Sequence, residues 1–212
     1  LYDSDMNHAN IIDFGLSIPI DKLPNKNDND KKYYGLLKEY FYLYAPEYYV
    51  WPLEVHVINY LLHQLEESED ASGIAKRISE EYVTNNKGIQ MFSKSFVADF
   101  KGACNRRVID VLRAASSGSL VERKREIIDG LIKSYDTWDN YAISIIYLRF
   151  IHLLFPNGFS ENKFYILFSQ LLLRNIHPIP TMRFSIADTR QRLYELFYLN
   201  EDVDTYIKMI EN

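Results

Sequence analysis

An aspartate at the end of an apolar run is the first residue whose position in the sequence suggests chemistry. Asp13 follows Ile11 and Ile12 and directly precedes Phe14 and Gly15. The apolar run predicts a short buried strand, and a carboxylate at its exit loses solvation unless a cation or hydrogen-bond donors compensate it. We therefore predict either a metal ion at Asp13 or, more simply, a strand-end aspartate that caps a turn.

Charged residues beside prolines or at a predicted helix start mark four later stretches. These are "YAPE", which ends at Glu47; "WPLE", which ends at Glu54; "DNYAIS", which begins at Asp139; and "HPIPTMRFS", which contains Arg183. An aspartate at a helix start is a common N-cap, so capping is one interpretation of Asp139. An isolated arginine such as Arg183 is most simply a surface residue.

Taken in order, these stretches resemble the C-terminal lobe of eukaryotic-type protein kinases. Asp13, Phe14 and Gly15 match the metal-binding Asp-Phe-Gly triplet of that family. Either Glu47 or Glu54 matches the glutamate that closes the activation segment, and the sequence does not choose between them. The resemblance covers residues 1 to about 54 and 139 to 212, and the enlarged chain is most similar to protein kinases of large DNA viruses.

The second half of the resemblance lies in the last third of the chain. "DNYAIS" is similar to the start of the family's central hydrophobic helix, with Asp139 as its aspartate and Ser144 in place of a glycine. Asp136 is an alternative in poorer register. Arg183 matches the arginine before the last helix, and the resemblance implies a buried ion pair between Arg183 and Glu47 or Glu54.

The resemblance implies transfer of the ATP γ-phosphate to a protein serine or threonine hydroxyl. In that scheme Asp13 binds Mg²⁺ at the ATP phosphates, Phe14 packs behind it, and Gly15 lets the triplet change conformation. Asp139 would accept hydrogen bonds from the catalytic loop. No catalytic residue is expected in this chain, because the glycine-rich loop, the strand lysine and the catalytic loop would precede Leu1.

We therefore expect a fragment that is inactive alone and a parent protein that is a kinase. The alternative is a pseudokinase that keeps the fold and holds partner proteins. Between Leu16 and Pro46, Ser17 is the only serine and no threonine occurs. The usual phosphorylation site of an activation segment therefore has no obvious counterpart.

Composition restricts the function class further. A net charge of −5 gives no support to nucleic-acid binding, and a single cysteine, Cys104, excludes an internal disulfide and fits a cytoplasmic location. The most apolar segment, Tyr141 to Phe155, is too short to span a membrane. His56 and His63 share a helical face, but without a third ligand in register a zinc site is unlikely.

The elements that position these residues are predicted to be mainly helical. Residues 1–54 would hold the strand before Asp13 and the activation segment, with an exposed loop over 18–35. Residues 55–138 are interpreted as a helical insertion and 139–212 as central and C-terminal helices of the same incomplete domain. The apolar stripe from Ile89 to Leu112 predicts one long helix, and Tyr141 to Phe155 predicts a central buried one. Ser160 is a candidate N-cap of the helix that follows, and Ser185 or Thr181 could begin the last helix.

Overall fold

The computed structural model is mainly helical, which confirms the predicted fold class at that level. It describes residues 2–3, 8–9, 18–25, 27–66, 70–114, 118–156, 158 and 162–198. The chain forms two compact units, residues 1–43 and residues 44–212. The predicted strand at 10–12 and the Asp13-Phe14-Gly15 triplet lie outside the described residues.

In its described residues, the first unit contains a short β element and one α-helix. Strands β1 (Tyr2–Asp3) and β2 (His8–Ala9) pair antiparallel, and a 3-10 turn covers Ile20–Lys22. Helix α1 spans Asp30–Tyr40, so the predicted exposed loop over 18–35 is wrong for its last six positions. The helix begins there because the Asn29 side chain accepts a hydrogen bond from the Lys32 amide.

The second unit is built from seven helices in the part of the chain that the structure describes. Their bounds are α2 Leu53–His63, α3 Ala71–Asn85, α4 Lys94–Ala114, α5 Leu120–Ile132, α6 Trp138–Leu154, α7 Lys163–Asn175 and α8 Ile186–Tyr198. Helix α3 packs on α4, α5 packs on α2 and α4, and α7 packs on both α6 and α8. The apolar side chains of α2 are almost completely buried.

Helix α4 carries most of the apolar stripe predicted between Ile89 and Leu112. Phe100, Cys104, Val108 and Leu112 are buried at intervals of four residues on one face. Ile89 is also buried, but it lies in the preceding turn. That turn forms because the Asn86 side chain accepts hydrogen bonds from the amides of Gly88 and Ile89.

Polar side chains cap the N-terminal ends of helices α5, α7 and α8. Ser119 and Glu122 form a reciprocal capping box at the start of α5. Ser185, which was one of two predicted starts of the last helix, accepts a hydrogen bond from the Asp188 amide. Asn162 caps α7, whereas the predicted cap, Ser160, lies outside the described residues.

Helix α6 is less enclosed than its apolar sequence predicts. Tyr141, Ile145, Leu148 and Ile151 are buried on one face. The opposite face exposes five large apolar side chains, each to 49% or more: Ile143, Tyr147, Phe150, Leu153 and Leu154. The prediction of a central helix was therefore wrong for this face, because an apolar sequence shows that a helix can be covered all round but not that neighbouring elements cover it.

None of the helices in the described ranges is both long enough and apolar enough to cross a membrane.

Candidate functional site

A buried ion pair joins the start of helix α2 to the connection between helices α7 and α8. One guanidinium nitrogen of Arg183, Nη2, lies 3.0 Å from Oε2 and 3.1 Å from Oε1 of Glu54. The two side chains are 0% and 1% exposed, and the residues are 129 positions apart in the sequence. Glu47, the other glutamate considered as the partner of Arg183, is exposed. Glu54 is therefore the partner of Arg183.

Local structure places both members of the pair. Pro52 occupies the N-cap position of α2, and Glu54 lies in the first turn, where the helix dipole favours a negative charge. Arg183 follows a 3-10 turn, Pro180–Met182, in the connection between α7 and α8. The His177 ring accepts a hydrogen bond from the Ile179 amide and so helps to fix this connection.

The rest of the Arg183 guanidinium is also hydrogen-bonded. Nε donates to the His177 carbonyl at 2.8 Å, and Nη1 donates to the Thr137 hydroxyl at 3.0 Å. The guanidinium carbon lies 5.4 Å from the centre of the Tyr141 ring. Because Thr137 immediately precedes α6, one arginine links the start of α2, the start of α6 and the connection before α8.

The groups around the ion pair are held neutral. Burial raises the pKa of the Cys104 thiol well above its usual value; the charge of Glu54 adds to this effect and that of Arg183 opposes it. Burial also raises the pKa of Tyr141 to about 12, and the Tyr141 hydroxyl is hydrogen-bonded to Tyr82. A protonated thiol shielded from solvent is a poor nucleophile, so this cluster organises the fold rather than carrying out chemistry.

A second polar cluster, which the sequence analysis missed, lies between α6, α7 and α8. The Asn140 amide nitrogen donates to the Thr189 hydroxyl at 2.8 Å and to the Phe184 carbonyl at 2.9 Å. The Asn175 amide nitrogen lies 3.3 Å from the Asn140 side-chain oxygen and 3.2 Å from the Ser144 hydroxyl. The sequence feature that could have predicted this cluster is the presence of one asparagine, Asn140 or Asn175, in each of two otherwise apolar helical segments.

Replacing Asn175 with alanine is expected to lower the free energy of unfolding by about 1–3 kcal/mol, because it removes a buried donor and leaves Asn140 and Ser144 with unmet hydrogen bonds. Urea unfolding followed by circular dichroism measures this change. Asn85→Ala, at an exposed asparagine on α3, is the matched control and should change stability by less than about 0.5 kcal/mol. Equal effects of the two substitutions would contradict the assigned role of Asn175.

Two further buried side chains of α2 lack hydrogen bonds with the rest of the described structure. His56 and Asn59 are both 0% exposed; the Asn59 amide atoms have no hydrogen-bond partner among those residues, and the His56 ring nitrogens make only weak contacts with backbone groups of Trp51 and Tyr48. Burial lowers the pKa of His56 to about 4, and nearby backbone groups of Trp51 and Tyr48 offset only part of this effect. His56 is therefore neutral at physiological pH, with its ring packed on Tyr82.

The aspartates assigned to the start of the central helix are both exposed. Asp139 lies in the first turn of α6, and Asp136 lies in the 3-10 turn Tyr135–Thr137 that precedes it. Neither carboxylate forms an ion pair or hydrogen bond with another described residue. An acid in the first turn interacts favourably with the helix dipole, whereas contact of Asp139 with a catalytic loop stays a prediction.

Metal binding is predicted only at Asp13, which lies outside the described residues. Within the described ranges, no group of three or more His, Cys, Asp or Glu side chains is arranged to hold a metal ion. No protein-family model matches the chain, and no curated protein or solved structure is significantly similar to it. The resemblance to protein kinases therefore depends on the motifs and on the contacts that those motifs make.

Proposed function

We propose that this chain forms most of the C-terminal lobe of a protein kinase that transfers the ATP γ-phosphate to a protein serine or threonine hydroxyl. The observation that carries the proposal is the buried contact between Glu54 and Arg183. The resemblance implies an ion pair between the end of the activation segment and the residue before the last helix. An unrelated helical protein with chance matches to the motifs has no reason to bring these two residues together.

The positions of the pair along the chain add further support. Glu54 lies at the start of α2, directly after the proline-containing segment that resembles the end of an activation segment. Arg183 lies between α7 and α8, and α8 is the last helix described. Thr137, the third partner of Arg183, immediately precedes helix α6, whose first turn contains Asp139. The Arg183 guanidinium therefore contacts Glu54 of one matched motif and the Tyr141 ring of another.

In the proposed reaction, Asp13 would hold a Mg²⁺ ion that neutralises charge on the terminal ATP phosphates. Phe14 and Gly15 would set the position of that carboxylate. Phosphoryl transfer also needs a phosphate-binding loop, a lysine and a catalytic aspartate from the family's other motifs. These motifs are not recognised in the sequence of this chain, so we assign the activity to a complete protein that contains it and expect none from residues 1–212 alone.

The proposal is tested by transfer of labelled γ-phosphate from Mg²⁺-ATP to a mixture of protein substrates, using the complete natural protein. Asp13→Ala is expected to abolish transfer, because the metal loses its carboxylate ligand. Asp21→Ala removes a nearby exposed acid in the 3-10 turn and is expected to leave the rate unchanged. Full activity of a folded Asp13→Ala protein would contradict the assigned role of Asp13.

The second candidate is a pseudokinase that binds proteins without phosphorylating them. It is favoured by the segment between Leu16 and Pro46, in which Ser17 is the only serine and no threonine occurs. Transfer by the wild-type protein would exclude this candidate. The absence of transfer from a folded wild-type protein, tested on several substrates, would favour it.

A further inference from the structure

An open groove lies between α7 and α8, away from the buried ion pair. Its volume is about 570 Å³, within the range of roughly 300–1,000 Å³ that is typical of ligand sites. Leu171 and Leu196 are buried at its base, and Leu167 is partly exposed beside them. The remaining lining residues are Gln170, Arg174, Phe184, Arg192 and Glu195. The groove therefore combines an apolar floor with charged walls.

Two arginines from different helices approach the same aromatic ring in this groove. The guanidinium carbon of Arg192 lies 4.1 Å from the centre of the Phe184 ring, and that of Arg174 lies 5.7 Å from it. Such contacts hold the planar cations in place while leaving their N–H groups available. Neither guanidinium group forms an ion pair or hydrogen bond with another described residue. Glu195 is hydrogen-bonded by Gln191.

The charge and shape of the groove indicate the chemistry of its ligand. Two positioned guanidinium groups favour carboxylates or phosphates, which they bind through charge-assisted hydrogen bonds. The leucine floor favours an apolar side chain next to the anionic group. A peptide in which Asp or Glu alternates with Leu has both features. Nucleic acid fits less well, because the chain has a net charge of −5 and an apolar groove floor.

We propose that the groove between α7 and α8 binds an acidic peptide segment of a partner protein, with Arg174 and Arg192 contacting its carboxylates and Leu167, Leu171 and Leu196 contacting its apolar side chains. This inference does not depend on kinase activity. The binding should weaken as ionic strength rises, because exposed charges make the polar contacts.

The test is fluorescence anisotropy with the full chain and a fluorescein-labelled peptide of alternating Asp, Glu and Leu. Arg192→Glu and Arg174→Glu are each expected to weaken binding by about tenfold or more. Arg190→Glu is the matched control, because Arg190 is exposed on α8 and does not line the groove. Arg192→Lys should give an intermediate loss, since lysine keeps the charge without the planar donor group.

A second probe tests the effect of the peptide's charge while its length and its leucines stay the same. The same peptide with Asn and Gln in place of Asp and Glu should bind at least about tenfold more weakly to the wild-type chain. This comparison needs no variant and is independent of any folding defect. Equal binding of the acidic and neutral peptides would overturn the proposal, and so would equal loss in the Arg190→Glu and Arg192→Glu proteins.

A competition experiment tests the assignment to a partner protein. Residues 199–212 of this chain are also acidic, with Glu201, Asp202 and Asp204 beside Val203 and Tyr206. An unlabelled peptide of that sequence is expected not to displace the probe. Displacement would overturn the partner assignment, because the segment would then belong to the chain itself.

Discussion

Arg183→Met is expected to lower the free energy of unfolding by about 3–5 kcal/mol, the largest effect of any single substitution considered for this chain. Methionine preserves much of the side-chain length but removes every polar contact of the guanidinium. The Glu54 carboxylate would then be buried without a counter-ion, and the Thr137 hydroxyl and His177 carbonyl would lose their donors. The loss is measured by urea unfolding at neutral pH.

The control for this prediction is Glu47→Gln, which removes the charge of the exposed glutamate in the other candidate motif. It should change stability by less than about 0.5 kcal/mol. The double variant Glu54→Leu with Arg183→Met should recover part of the loss, because no unpaired charge is then buried. A cost for Arg183→Met no larger than that of Glu47→Gln would contradict the buried pair.

The second large effect is a loss of stability in acid that depends on His56. Burial lowers the pKa of His56 to about 4, below its ordinary value of 6.5. Between these values the unfolded chain binds a proton at His56 and the folded chain does not. Stability from this residue is therefore full above about pH 6.5 and falls as pH decreases to about 4, by a total of about 3 kcal/mol.

The measurement compares unfolding free energies of the wild type and His56→Leu across this pH range. Other groups titrate in both proteins, so the difference between the two curves isolates His56. The difference should shift in favour of the variant by about 2–3 kcal/mol as pH falls from about 7.5 to about 4. His152→Gln, which changes an exposed histidine of α6, is the control for replacing a histidine. Parallel curves for wild type and His56→Leu would contradict the prediction.

Helix α6 shows how far apolar periodicity predicts the fold. Its sequence predicts a helix, and the structure has one over Trp138–Leu154. The same sequence predicts burial all round, yet Phe150 is 57% exposed and Leu153 is 69% exposed. Local sequence determines the apolar faces of a helix, whereas neighbouring elements determine which faces are covered. Helix α1 shows the converse, because a single capping asparagine begins it in a segment without sustained periodicity.

The sequence by itself determined the mainly helical class and the apolar face of α4, and it narrowed the start of α8 to Ser185 or Thr181, since spacing and capping act over a few residues. It also identified Arg183 as one member of an ion pair, but it left both Glu47 and Glu54 as candidates for the other member. Only the tertiary structure decided between the glutamates, because a contact across 129 residues depends on how the helices pack. The same reason hid the Asn140 cluster and the groove between α7 and α8, whose members are far apart in sequence.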